Sequence, residues 1–213
     1  PVILIFAAVI GGIYVGIFTP TEAAAVGAAG TGLVALLNGG LNRASFRECI
    51  LATMSSTAMI FLIILGAAVF NTFLATTRLP QELSAFVVEQ GFSPWLVLAL
   101  VLLLYLVFGC VMDSLSMVLL TVPILFPVMS ALDFGLTPEE FALWFGVLVL
   151  IVVEVGLITP PVGLNLFVIN ALARDVPIGE TYRGVMPFVL TDLVRVAVLV
   201  VFPSLSLALV WLL

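Results

Sequence analysis

Glu154-Val-Gly-Leu-Ile-Thr-Pro-Pro-Val-Gly-Leu-Asn-Leu-Phe167 is the stretch that decides how this chain folds. The residues before it, from Thr137-Pro138-Glu139-Glu140 onward, are apolar at helical length and open with a capping box that has proline at the first helical position. The residues after it, 164–173, are apolar again. Between these runs two consecutive prolines remove two N–H donors and crowd the carbonyls four residues back, those of Gly156 and Leu157. The stretch therefore predicts a membrane helix over 138–173 that is discontinuous at Thr159-Pro160-Pro161 and Gly163.

The rest of the chain supports a lipid setting. Of its 213 residues, 64% are hydrophobic and 8% charged, with mean hydropathy +1.40; soluble domains run at about 45–50% apolar and about 25% charged. Twelve acids against six bases give a net charge of -6, and the bases are single, scattered arginines. That pattern argues against nucleic-acid binding. Histidine is absent, which removes metalloproteases of the HExxH type and serine–histidine intramembrane proteases. Cys49 and Cys110 lie in apolar stretches and read as small buried hydrophobes, with no disulfide or metal site. The start at Pro1, inside an apolar run, reads as a cut and not as a signal peptide.

A span needs about 20 apolar residues. Residues 2–18 read as the tail of one, ending where Thr19 and Pro20 restart a helix, and 23–37 form the next. Asn38-Gly39-Gly40 breaks it, and Ser45-Phe46-Arg47-Glu48 has capping-box spacing for a helix from about 46 to 76. Residues 80–90, with Leu83, Phe86 and Val87 opposite Glu82 and Glu89, suit an interfacial amphipathic helix. Ser93-Pro94 opens an apolar limb, 95–112; a second, 117–132, follows the turn Asp113-Ser114-Leu115-Ser116. No anchoring Arg, Trp or Tyr flanks that turn, so a re-entrant hairpin with its tip inside the membrane is expected. Residues 174–182 read as a polar connection and 186–213 as the last span, with Asp192 and Arg195 as a structural pair three apart. Asn71, Ser55 and Ser56 read as interhelical hydrogen-bond groups. Arg43 and Arg47, and Arg174 and Arg183, mark cytoplasmic connections, and the acidic loop 133–140 a periplasmic one.

A broken membrane helix leaves free carbonyls on one half and free N–H groups on the other, an arrangement able to hold a small cation and an anionic group. Sodium, a hard cation, suits carbonyl and hydroxyl oxygens, and the candidates around the two breaks are Gly109, Asp113, Ser114, Ser116, Gly156, Thr159, Pro160 and Gly163. Pro160 and Pro161 also keep the break open structurally. Glu154, where a charge costs at least about 2.5–3.5 kcal/mol, is expected to face a cavity and is, with Asn165, a substrate candidate. No other cofactor is expected. Gly16-Ile-Phe-Thr-Pro20 and Gly156-Leu-Ile-Thr-Pro160 share G-x-x-T-P, a weak hint of internal symmetry. An intramembrane aspartyl protease needs two facing aspartates, and Asp113 lacks the G-x-G-D context while Asp192 pairs locally. A channel would need a continuous polar stripe, which is missing.

Three stretches carry a family resemblance: Gly16-Ile-Phe-Thr-Pro-Thr-Glu-Ala-Ala-Ala25, Gly109-Cys-Val-Met-Asp-Ser-Leu-Ser116 with Thr121-Val-Pro-Ile-Leu-Phe-Pro127, and Glu154 to Phe167 as quoted. Together they resemble the large, DctM-type membrane subunit of tripartite ATP-independent periplasmic (TRAP) transporters, over essentially the whole chain. The resemblance implies an all-α polytopic protein of the bacterial inner membrane, half of an inverted-repeat, elevator-type transporter that is not an enzyme. It implies scaffold-type helices over 1–92, a transport-domain half over 93–173 (re-entrant hairpin 93–132, discontinuous helix 138–173), and a cytoplasmic connection with the last helix over 174–213. It further implies Na⁺-coupled uptake of a small organic acid, a C4-dicarboxylate or related carboxylate. The implied partners are a periplasmic binding protein that delivers the acid and a small four-helix membrane subunit. Sodium would sit between the hairpin around Asp113 and the break around Thr159, and this chain would hold one half-site. Proton coupling through Glu154 or Asp113 is the alternative.

Overall fold

The computed structural model describes residues 2–172 and 176–212, which form ten α-helices and, among the described residues, no strand. Arg174 and Ala173, named above, lie outside them. The chain divides between Phe61 and Leu62 into two compact units. Four helices are long and apolar enough to cross a membrane, Pro20–Leu37, Arg43–Thr77, Pro138–Leu157 and Ile178–Val201, so the fold is all-α and polytopic.

In the first unit α1 (Val2–Tyr14) packs on α2 (Pro20–Leu37). The first helix closes four residues earlier than expected, because the amides of Ile17 and Phe18 turn back to the Gly12 carbonyl, and Gly16 adopts the left-handed conformation that follows (φ 77°). Thr19 caps α2 as expected: its Oγ1 accepts from the Glu22 amide at 3.4 Å, and the Glu22 carboxylate accepts from the Thr19 amide at 2.8 Å. The third helix, α3 (Arg43–Thr77), corrects the expected start near Phe46. Asn42, an equally good cap, lies one turn upstream. Its Oδ1 accepts from the amides of Ala44 and Ser45 at 2.9 Å, while Ser45 Oγ accepts from the Asn42 amide. Ser45 thus serves the start of the helix as the returning partner of a cap, not as the cap itself.

The second unit contains the end of α3 and seven further helices: α4 (Leu79–Glu89), α5 (Pro94–Gly109), α6 (Ser114–Ser130), α7 (Pro138–Leu157), α8 (Leu164–Leu172), α9 (Ile178–Val201) and α10 (Ser204–Leu212). Left-handed Arg78 (φ 54°) separates α3 from α4. Pro94 occupies the first position of α5 as expected, but the Ser93 side chain makes no capping bond. Thr137 and Glu140 form the capping box expected for α7.

The core of this unit is the packing of α5 on α7. At one end the rings of Trp95 and Trp144 lie 6.4 Å apart. At the other end Gly109 meets Gly156. The two helices therefore run parallel, and their C-termini end side by side. Between those ends Leu98, Val101, Tyr105, Phe145, Leu148, Val152 and Val153 are buried. The α6 limb returns along them, held at depth by the Tyr105 hydroxyl, which shares a 3.0 Å hydrogen bond with Thr121 Oγ1. An aromatic cluster of Trp95, Phe126, Phe134, Phe141, Trp144 and Phe145 closes the base of the hairpin; Phe134 stacks on Phe141 at 5.4 Å.

The final segment runs antiparallel to α7. Tyr182 stands beside Pro161, Leu199 beside Trp144 and Trp211 beside Glu140. Where the sequence suggested one span over 186–213, the structure has two helices, because Pro203 has no N–H for the Leu199 carbonyl and the helix gives way at Phe202 (φ −122°, ψ 76°). The indole Nε1 of Trp144 donates to that carbonyl instead, at 2.8 Å. Residues 178–182, part of the stretch 174–182 read as polar, are already helical. Asp192 and Arg195 form the expected pair at 2.9 Å. Asn71 Oδ1 is buried without a partner, and Ser55, Ser56 and Cys49 are exposed. Among the described residues the interhelical bonds expected of these polar groups are thus not seen, and Cys49 lies exposed where burial was expected.

Candidate functional site

The site is built from two interruptions that the fold brings to one level. The α5 helix ends at Gly109, where the chain turns through Cys110 to Asp113 into α6. The α7 helix ends at Leu157, and the chain turns through Ile158 to Gly163 into α8. Because α5 and α7 are parallel, two helix C-termini and their carbonyls converge. This concentrates negative potential, each C-terminus carrying an effective charge of about −0.5.

Glycine makes the convergence possible. A Cβ on Gly156 would stand 2.6 Å from the Gly109 Cα and 3.0 Å from the Leu106 carbonyl oxygen, and one on Gly109 would stand 3.0 Å from the Gly156 Cα and the Val153 oxygen. No side chain fits between these backbones. In lipid, where apolar burial drives association weakly, such small-residue contact is what lets helices approach. The junction is stitched further: the Gly163 amide donates to the Cys110 carbonyl at 3.2 Å, and Cys110 Sγ, 3.2 Å from the Leu106 oxygen, also lies 3.8 Å from the Pro160 oxygen. Gly163 (φ 60°) is left-handed, and a Cβ there would meet the Thr159 carbonyl at 3.2 Å.

The accounting of backbone groups shows what the junction offers. The Gly156 carbonyl, expected to lose its partner, accepts instead from the Thr159 amide at 2.9 Å in a tightened last turn. The Val155 carbonyl takes the Thr159 hydroxyl at 2.6 Å. Since that hydroxyl donates backward into α7, its lone pairs stay available. Among the described residues no donor reaches the carbonyls of Leu157, Ile158 and Thr159, or those of Gly109, Val111 and Met112. A cavity of about 190 Å³ opens at the junction, lined by Leu106, Val107, Cys110, Val111, Thr159, Pro160 and Pro161, so that Val111 and Thr159, of the six residues with these carbonyls, border it. By contrast, the groove of about 400 Å³ between α6 and α7 is lined by Val118, Val122, Phe126, Phe145, Val149 and Leu150 with other apolar groups and offers nothing to an ion.

The helices that leave the junction present N-termini. Asp113 caps α6: its Oδ1 accepts from the Ser116 amide at 3.0 Å. Of the turn's polar residues Asp113 is exposed and Ser114 and Ser116 are half-buried. The cap of α8 is Gly163, which has no side chain, so among the described residues nothing accepts from the amides of Leu164 and Asn165, and Asn165 is exposed beside them. Glu154 is not turned into a cavity within this chain. It lies on the outward stripe of α7 with Leu143, Val147 and Leu150, three residues short of the helix end. The structure thus joins Gly109, Gly156, Thr159, Pro160 and Gly163 in one junction, sets Asp113, Ser114 and Ser116 at its edge on the hairpin turn, and leaves Glu154 facing outward.

Two residues of the junction had no sequence signal. Cys110 read as an ordinary apolar residue, yet its thiol touches the break. Tyr182 read as part of a polar connection, yet its hydroxyl lies 3.0 Å from the Pro161 oxygen and 2.9 Å from the Val162 oxygen. The two G-x-x-T-P stretches differ in structure: Thr19 starts a helix and Thr159 ends one.

Comparison with known proteins agrees with this architecture. The profile of the family described as "Tripartite ATP-independent periplasmic transporter, DctM component" matches residues 1–205. The C4-dicarboxylate TRAP transporter large permease protein DctM of Pseudomonas aeruginosa is 39% identical over 210 residues, covering 97% of this chain and 47% of that protein. Its namesake from Rhodobacter capsulatus is 37% identical, over 97% of this chain and 46% of that protein. The sialic acid TRAP transporter large permease protein SiaM of Vibrio cholerae is 36% identical, over 94% and 46%. The chain spans about half the length of these curated relatives. It belongs to the DctM component family of tripartite ATP-independent periplasmic transporters, permease subunits of the inner membrane.

Proposed function

We propose that this chain supplies one half-site of a Na⁺-coupled secondary transporter for small organic acids, with the cation held between the α5–α6 turn and the α7–α8 break. The observation that carries the reading is the meeting of two helix C-termini at Gly109 and Gly156, with six carbonyls near them that lack donors. In hydrocarbon each unpaired carbonyl costs several kcal/mol, and a small hard cation or water is what can answer several at once. The Thr159 hydroxyl, with its proton turned into α7, adds a neutral oxygen. Asp113, capping α6 from the edge of the junction, adds a formal negative charge nearby.

The carboxylate of the solute would then meet the free amides of Leu164 and Asn165 at the N-terminus of α8, where the helix dipole favours an anion. Glu154, on the outward face of α7, is the residue we assign to the rest of the solute, which the other half of the transporter would help to enclose. The relatives named for C4-dicarboxylates and sialic acid have carboxylate chemistry in common, and a periplasmic binding protein and a small membrane subunit are the partners we assign, a reading that the word tripartite in the family description supports. The α5 and α6 limbs, at 16 and 17 residues, are about 24 and 26 Å long, short of the hydrocarbon thickness of about 30 Å. This length supports a re-entrant hairpin.

The test is uptake by the full transporter in proteoliposomes, with its binding protein outside and either a Na⁺ gradient or a proton gradient imposed. The reading expects accumulation driven by Na⁺ alone. Accumulation driven only by protons would transfer the coupling to Glu154 or Asp113.

A further inference from the structure

The Tyr182 hydroxyl belongs to α9, yet it points at the break between α7 and α8, with the Pro161 and Val162 oxygens 3.0 and 2.9 Å away. These two follow the unpartnered carbonyls of Leu157, Ile158 and Thr159 after one intervening carbonyl, that of Pro160, which lies 3.8 Å from the Cys110 thiol. A phenol carries one proton, which two converging carbonyls must share. Nothing else within the described residues donates to either oxygen. Among the described residues the other hydrogen bonds from the break to its surroundings go to the hairpin tip, from the Gly163 amide to the Cys110 carbonyl and from the Cys110 thiol to the Pro160 oxygen. One side of the loop is thus fastened to α5 and the other to α9.

We infer that Tyr182 is a positioning residue for the cation half-site: its hydroxyl holds the Pro161 and Val162 carbonyls toward α9 and so fixes the path of the break that carries the unpartnered Leu157–Thr159 carbonyls and the Thr159 hydroxyl. The inference rests on the cation reading above. It also gives α9 a mechanical link to the site. Ordering of the break by a cation is passed through the phenol to the helix that runs antiparallel along α7 and is bonded to it again at Trp144. Neither Glu154 nor Asp113 provides such a link, since neither is bonded to α9.

Tyr182→Phe removes the hydroxyl and keeps the ring. In the full transporter it should raise the Na⁺ concentration for half-maximal uptake by about 2- to 10-fold, the factor equivalent to one net hydrogen bond, while the KM for the organic acid at saturating Na⁺ changes less than 2-fold. A second readout is alkylation of Cys110 by a small maleimide, other cysteines being replaced. Sodium should slow it in the wild-type protein, and the Na⁺ concentration giving half protection should shift in the variant by the same factor as uptake. An unchanged Na⁺ dependence of both readouts, or a variant that fails to accumulate in the membrane at all, would assign Tyr182 to packing alone and overturn the inference. A wild-type protein that shows no Na⁺ protection of Cys110 and no Na⁺-stimulated uptake would instead overturn the cation reading on which it rests.

Discussion

Gly156 has no room for a methyl group, and the next glycine upstream in the same helix does. A Cβ at Gly156 meets backbone of α5 at 2.6 to 3.0 Å, whereas one at Gly146 meets nothing within 4 Å. Backbone cannot rotate aside as a side chain can, so Gly156→Ala must push α5 and α7 apart. The expected cost is about 1–3 kcal/mol, the range for overpacking, together with a weakened Na⁺ response. Gly146→Ala should be neutral or stabilising by up to about 1 kcal/mol. Thermal unfolding of the two variants in detergent, with and without Na⁺, checks both. Asp113 separates its two roles in a similar way. Asparagine caps a helix as well as aspartate does, so Asp113→Asn should leave insertion and stability intact while raising the Na⁺ concentration needed for uptake. Unchanged Na⁺ dependence would leave Asp113 as a helix cap only. At this scale the sequence was informative about residue types and silent about pairing. Prolines and glycines announce where a helix must break, but the contact of Gly109 with Gly156, 47 residues on, depends on parallel packing that no local pattern encodes.

At the scale of elements, the helix start at Thr19-Pro20, the capping box at Thr137 and the double proline at 160–161 were legible because each is a local chemical necessity. Three boundaries were not. Asn42 displaced Ser45 as a cap because two suitable residues lay within one turn. The break at Phe202 was hidden because a single proline in an apolar run reads equally well as a kink inside one span. The early end of α1 came from two amides returning to one carbonyl, a closure without a marker residue. The break at Phe202 also yields a prediction. Trp144 satisfies a carbonyl that Pro203 orphans, so Trp144→Phe should leave Leu199 unpaired at a cost of about 1–3 kcal/mol. Pro203→Ala would restore the helical donor, so the double variant should regain stability relative to Trp144→Phe alone. The two substitutions should therefore be strongly non-additive in thermal unfolding; simple additivity would mean that the indole bond contributes nothing.

Over the whole chain, the sequence made membrane residence and helical class plain through composition, and its motifs pointed to the family. It could not bring Tyr182 to Pro161, Leu199 to Trp144 or Trp211 to Glu140, since these contacts join residues 21 to 71 apart. The hairpin carries the topological prediction. Single cysteines at Gly135, in the exposed loop, and at Ser114, at the tip, should differ toward a membrane-impermeant thiol reagent applied from the periplasm to the full transporter. Gly135→Cys should react freely, and Ser114→Cys only in a manner that depends on Na⁺ and substrate. Constant labelling of Ser114→Cys from the cytoplasmic side would mean two complete spans.

A cation bound at the α7–α8 break would couple this half of the transporter to the Na⁺ gradient. The most direct measurement is Na⁺-dependent thermal stabilisation of the full transporter, compared between wild type and Pro160→Ala/Pro161→Ala. Restored N–H groups would let the helix close over the Leu157 carbonyl and remove cation ligands. Wild type should gain stability with Na⁺ as RT ln(1 + [Na⁺]/Kd). The double variant should insert equally well, unfold at an equal or higher temperature without Na⁺, and gain nothing when Na⁺ is added. A double variant that keeps the full wild-type increment would contradict the account, because the ion would then be bound elsewhere.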